Sequence, residues 1–94
     1  MSSVSVPTIY NLTLTSANTE YSQALNPFIV NFRISCRTFA DIRLAFRSGE
    51  SGTTYMTIPA GSSYSPPSLD SIAGTLTLYL QSPTAGVVAE IEEW

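Results

Sequence analysis

Phe28-Ile-Val-Asn-Phe-Arg-Ile-Ser-Cys-Arg37 is the stretch that decides how this 94-residue chain folds. Phe28, Val30, Phe32, Ile34 and Cys36 occupy even positions, and from Asn31 onward the odd positions are polar. Period-two alternation marks a strand with one face buried and the other in water. After Thr38-Phe39-Ala40 the pattern resumes, with Ile42, Leu44 and Phe46 directed inward and Asp41, Arg43 and Arg47 outward. Two alternating runs joined so briefly predict a hairpin.

The same rhythm recurs on both sides. Tyr10, Leu12 and Leu14 alternate with Asn11, Thr13 and Thr15. Leu76, Leu78 and Leu80 alternate with Thr75, Thr77, Tyr79 and Gln81, and Val87, Ala89 and Ile91 with Val88, Glu90 and Glu92. Thr53–Ile58 is rich in β-favouring residues, and shorter extended pieces are expected at Glu20–Ala24 and Ser62–Ser65. No convincing 3.6-residue stripe is found; Glu20–Leu25 and Ser68–Ile72 allow a single helical turn at most. Prolines and glycines fall mainly between the alternating runs. The reading is an all-β fold, a compact antiparallel β-sandwich of about 7–8 strands, either jelly-roll-like or immunoglobulin-like. It forms one domain over 1–94, with residues 1–6 expected as a flexible or partner-ordered arm.

Composition narrows the function classes. The chain has no histidine and one cysteine, Cys36, which rules out a Ser-His-Asp triad, an internal disulfide and a Cys/His zinc site. Neither a metal nor a cofactor is expected. A net charge of −3 with only four basic residues argues against nucleic acid. No apolar run is long enough for a helical membrane span. The opening MSSVSVPTIYNL has neither a basic start nor an apolar core, so no signal peptide is expected. Charged residues make up 12%, about half of what is usual for a soluble domain. There is no lysine to guard sheet edges, so the edges are expected to be covered by partners.

Those few charges are segregated. Every base (Arg33, Arg37, Arg43 and Arg47) lies between positions 33 and 47 in one phase, which predicts a single outer face of one hairpin. Residues 48–94 carry five acids and no base, ending in Glu90, Glu92, Glu93 and the terminal Trp94. Two uses stand open. Glu90 and Glu92 can pair with the arginines across the sheet of one chain, or the arginine face of one subunit can meet the acidic edge of the next. Trp94 either caps the core or anchors a partner. These eight residues form the candidate subunit or capsid interface.

Catalytic signals are weak. Glu90 and Glu92 would stand about 6–7 Å apart on one strand face, a spacing open to acid/base chemistry, but arginines nearby would keep both ionised. Cys36 shares the phase of the core and is expected to be a buried, inert thiol. Arg47-Ser-Gly-Glu-Ser-Gly-Thr-Thr54 lacks the Gly-Lys-Ser/Thr ending of a phosphate loop and reads as a turn. Asn11-Leu-Thr13 matches a glycosylation acceptor without a secretory route to use it. No enzyme activity is expected. Exposed tyrosines, such as Tyr55 and Tyr79, leave glycan binding open.

Several phrases resemble a group of small tailed-phage proteins. They are Asp41-Ile-Arg-Leu-Ala-Phe46, Ser48-Gly-Glu-Ser-Gly-Thr-Thr-Tyr55, Thr57-Ile-Pro-Ala-Gly-Ser-Ser-Tyr64, Leu76-Thr-Leu-Tyr-Leu-Gln-Ser82 and Glu90-Ile-Glu-Glu-Trp94. That group comprises single-domain β-sandwich virion structural proteins. The resemblance implies a non-enzymatic capsid decoration or cement protein that bridges major capsid proteins as a dimer or trimer. It would be made in the host cytoplasm and would reside on the virion. A tail or head-fibre subunit, or a glycan-binding module on the virion surface, are the alternatives. The resemblance carries no functional residues across.

Overall fold

Alternating apolar positions give eight strands in the computed structural model, which describes residues 6–27, 29–66 and 76–94. They are β1 (Thr8–Leu14), β2 (Tyr21–Ala24), β3 (Phe32–Cys36), β4 (Ile42–Ala45), β5 (Met56–Ile58), β6 (Ser63–Tyr64), β7 (Thr77–Gln81) and β8 (Val87–Glu93). No helix occurs among the described residues. Residues 1–5 of the arm expected over 1–6, the inward Phe28 and the turn at Ser68–Ile72 lie outside them.

Two antiparallel four-stranded sheets result, ordered β1-β8-β3-β6 and β2-β7-β4-β5. Their inner faces share one core. Leu14, Phe32, Ile34, Val87, Ala89 and Ile91 come from the first sheet; Ile42, Leu44, Ile58, Leu78 and Leu80 come from the second. The chain changes sheet at every connection except β4–β5. This order, with the first strand beside the last, is a jelly roll, which settles the choice against the immunoglobulin-like alternative.

The predicted hairpin does not form. β3 pairs with β8 and β6, whereas β4 pairs with β7 and β5. The segment between them is a corner that carries the chain from one sheet to the other. Ala40 is buried there, the Ser82 hydroxyl donates to the Asp41 carbonyl at 2.7 Å, and the Asp41 carboxylate accepts the Ala60 N–H at 2.8 Å. Alternation survives such a corner unchanged because each run still buries one face. β3 is also shorter than expected. Val30 is 66% exposed, since Asn31 turns its side chain onto the Phe32 N–H at 2.8 Å before the strand begins. Phe46, expected inside, stands just past the end of β4 and is 44% exposed, its ring edge-on to that of Phe32. The Thr53–Ile58 run yields strand only over Met56–Ile58, because Thr53 and Thr54 close a turn onto the Glu50 carbonyl. Cys36 is half-buried rather than enclosed.

Candidate interaction surface

The outer face of the β1-β8-β3-β6 sheet carries the first group of candidate residues. Register places Arg33 directly opposite Glu92, and Arg37 one diagonal step from Glu90. Arg33 Nη2 lies 3.2 Å from Glu92 Oε1, and Arg37 Nε donates to Glu90 Oε2 at 2.9 Å. Both pairs are half in water, which limits each to about 0.2–1 kcal/mol. Ser35 sits between the arginines, and Ile9 stands beside Glu92 on β1. A shallow depression lies among Ile9, Arg33, Ser35 and Glu90. The first of the two expected uses of these charges, pairing across the sheet within one chain, is therefore what the geometry shows.

Arg43 and Arg47 do not join them. Arg43 lies on the outer face of the other sheet, on the far side of the sandwich, because β3 and β4 are in different sheets. Its Nη1 donates to Gln81 Oε1 at 2.9 Å and to Asn18 Oδ1 at 3.2 Å, and its guanidinium stacks 5.3 Å from the Tyr55 ring centroid. Arg47 is exposed at the start of the β4–β5 loop. The single arginine face does not exist.

Glu93 is also displaced from the expected surface set. Only 3% exposed, it faces inward at the end of β8, accepts the Asn26 N–H at 2.9 Å and bonds the Asn26 side-chain amide. The Tyr10 hydroxyl beside it is held above its ordinary pKa, first by burial and then by the Glu93 charge and hydrogen bond. Trp94 is 41% exposed and is no core cap. Its backbone continues the sheet, with its N–H donating to Asn31 and its carbonyl accepting from Val30 and Asn31.

Two features escaped the sequence reading. One is a polar chain that fastens the β4–β5 loop over the second sheet. The Glu20 carboxylate accepts the Gly49 N–H at 2.9 Å, the Ser51 N–H at 3.1 Å and the Ser51 hydroxyl at 2.6 Å. Gln81 Nε2 in turn donates to Ser51 Oγ at 2.9 Å. The Arg47–Thr54 segment, expected as a turn, thus has its Gly49 and Ser51 amides engaged by an anion of the chain itself. The Ser51 hydroxyl, then the Gly49 N–H, hold the Glu20 carboxyl below its ordinary pKa. A lone acid closing an otherwise uncharged stretch was the available signal.

The second feature is an open edge. Among the described residues β1 pairs only with β8, leaving its other side free along seven residues. No charged side chain occurs before Glu20. The other outermost strands, β2, β5 and β6, are four, three and two residues long. Long uncharged edges are what native sheets usually avoid.

The fold and surface define an all-β jelly roll in which β1 has a single strand partner among the described residues. No protein-family model matches the chain, and no curated protein does. Among solved structures it is similar to a de novo designed double-stranded β-helix, with a TM-score of 0.55 over 96% of this chain and all of the other, at 20% identity. That likeness concerns the fold alone.

Proposed function

We propose that this chain is a non-enzymatic assembly subunit of a tailed-phage particle, a capsid decoration or cement protein bridging neighbouring major capsid proteins. The observation that carries the reading is the make-up of the surface. Of the four arginines, two are spent on ion pairs within the chain and a third on hydrogen bonds, while large apolar side chains stand in water. Val6, Ile9, Val30 and Trp94 gather at one end of the first sheet, because Thr8 pairs with Glu93 and Trp94 bonds Val30 and Asn31. Surfaces of this kind mark places covered by partners. The resemblance of several phrases of the sequence to small tailed-phage proteins supports a virion as the setting.

The mechanism is mass action: contacts made only in the assembled shell stabilise that shell. The test adds purified chain to empty shells built from the major capsid protein of the same virus. Saturable binding and a rise in the temperature at which shells rupture are expected. A chain that ignores shells at every concentration overturns the proposal.

A further inference from the structure

We infer that β1 is a self-pairing strand: two copies join edge to edge, antiparallel, about a two-fold axis through Asn11, making one eight-stranded sheet. This rests on the assembly reading and names its first partner, a second copy of the chain. Three observations converge. Among the described residues the edge offers about 23 Å of backbone without a strand partner, and the groups along it are best matched by another strand. The sequence of the edge is compatible with its own reversal. A dyad at Asn11 sets Tyr10 against the partner's Leu12 and Ile9 against the partner's Thr13. Each pair keeps inner residues with inner and outer with outer, as alternation requires. Tyr10 and Leu12 are half-buried against the core, so pairing makes the two cores continuous.

The electrostatics also permit it. β1 is uncharged; of the acids on β8, Glu90 and Glu92 on the outer face are matched by Arg37 and Arg33, and Glu93 on the inner face is held by the two Asn26 donors. A second copy therefore approaches without local repulsion, although each chain carries −3 overall. Ile9, 66% exposed, lies on the outer face of the junction, where pairing covers it. A two-fold contact of this kind is isologous and closes at two copies.

The test is sedimentation velocity on the purified full chain over a concentration series, beside three variants. Ile9→Lys combined with Thr13→Lys places like charges opposite each other twice across the dyad, with both side chains in water in the monomer. Self-association is expected to weaken by roughly tenfold or more, while the circular dichroism of the monomer is kept. Ser22→Lys, on the exposed face of β2, is expected to leave association unchanged. In a Cys36→Ala background, Asn11→Cys is expected to cross-link to a covalent dimer on mild oxidation, and Ser22→Cys to stay uncross-linked. A chain that is monomeric throughout overturns the inference, as does a dimer indifferent to the lysine pair or cross-linking only through position 22. A monomer that still binds shells sinks the pairing and leaves the assembly reading standing. A β1-paired dimer that ignores shells does the reverse.

Discussion

Glu92 and Glu93 are adjacent acids with opposite positions. β8 keeps strict parity from Val87, so odd positions point inward through Ala89 and Ile91, and Glu93 obeys the same rule. Grouping it with the surface acids let charge outweigh phase. The inward position is tolerable because Asn26 supplies two donors from the β2–β3 connection, a partner 67 residues away that no local pattern reveals. The two acids should therefore respond differently to truncation. Glu93→Ala leaves the Asn26 N–H without its acceptor and is expected to cost about 2–3 kcal/mol. Glu92→Ala removes only a half-exposed pair with Arg33 and should cost under about 1 kcal/mol. Urea denaturation of both variants checks this; equal losses would mean that Glu93 is no tie. Arg33 and Arg37 were well placed from phase alone, since their partners sit on the strand that alternation also identified.

The β3–β4 pair shows what alternation conveys and what it omits. Period two identifies a strand and its wet face, and the strands at 32–36, 77–81 and 87–93 fall within the alternating runs. It does not say which sheet the strand joins, and sequential strands are neighbours often enough to make a hairpin the default. Five residues serve equally well as a hairpin loop or a corner between sheets. The link that stays within one sheet is β4–β5, whose long loop read as an unremarkable turn because its fastening, Glu20, comes from before β2. This loop should respond to acid. Since the folded Glu20 carboxyl titrates below its ordinary value of 4.5, its contribution is complete above that value. It is lost as pH falls through the unfolded and then the folded pKa. Hydrogen exchange at the Gly49 and Ser51 amides, corrected for intrinsic rate, should be slow at pH 6 and accelerate as the pH is taken down through the folded-state titration of Glu20, below 4.5. In Glu20→Gln, exchange is expected to be faster at pH 6 and to lose most of its pH dependence. An unchanged pH profile in that variant would show that the carboxylate does not hold the loop.

Assembled, the jelly roll interleaves the chain, so neither sheet is built from one continuous segment. β1 pairs with β8 along its whole length, Thr8 against Glu93 to Leu14 against Val87, and β8 is the central partner of both β1 and β3. The β1-β8-β3-β6 sheet therefore cannot be completed until the last strand has docked. Domains dominated by such distant pairings fold in milliseconds to seconds, because loop closure must precede the contacts that reward it. That register also brings Trp94 beside the start of β1, which permits a rearrangement of the chain. Joining Trp94 to Met1 and opening the exposed turn between Thr84 and Ala85 converts β8–β1 from the most distant pairing into a local hairpin. It also brings β8 nearer to β3 in sequence while leaving the β7 pairings with β2 and β4 intact. The turn at the new ends contributes little burial; Pro83 to Gly86 are all exposed, and its backbone tie is the Gly86 N–H to Leu14 at 2.8 Å. The permuted chain should keep the far-ultraviolet spectrum and a cooperative urea transition, and should refold faster in stopped-flow fluorescence of Trp94. Its unfolding limb should move less than its folding limb, since the change acts on the cost of reaching β1–β8 contact and not on the contacts themselves. An unchanged refolding rate would mean that β1–β8 pairing follows the rate-limiting step, and would place nucleation in the β2-β7-β4 sheet instead.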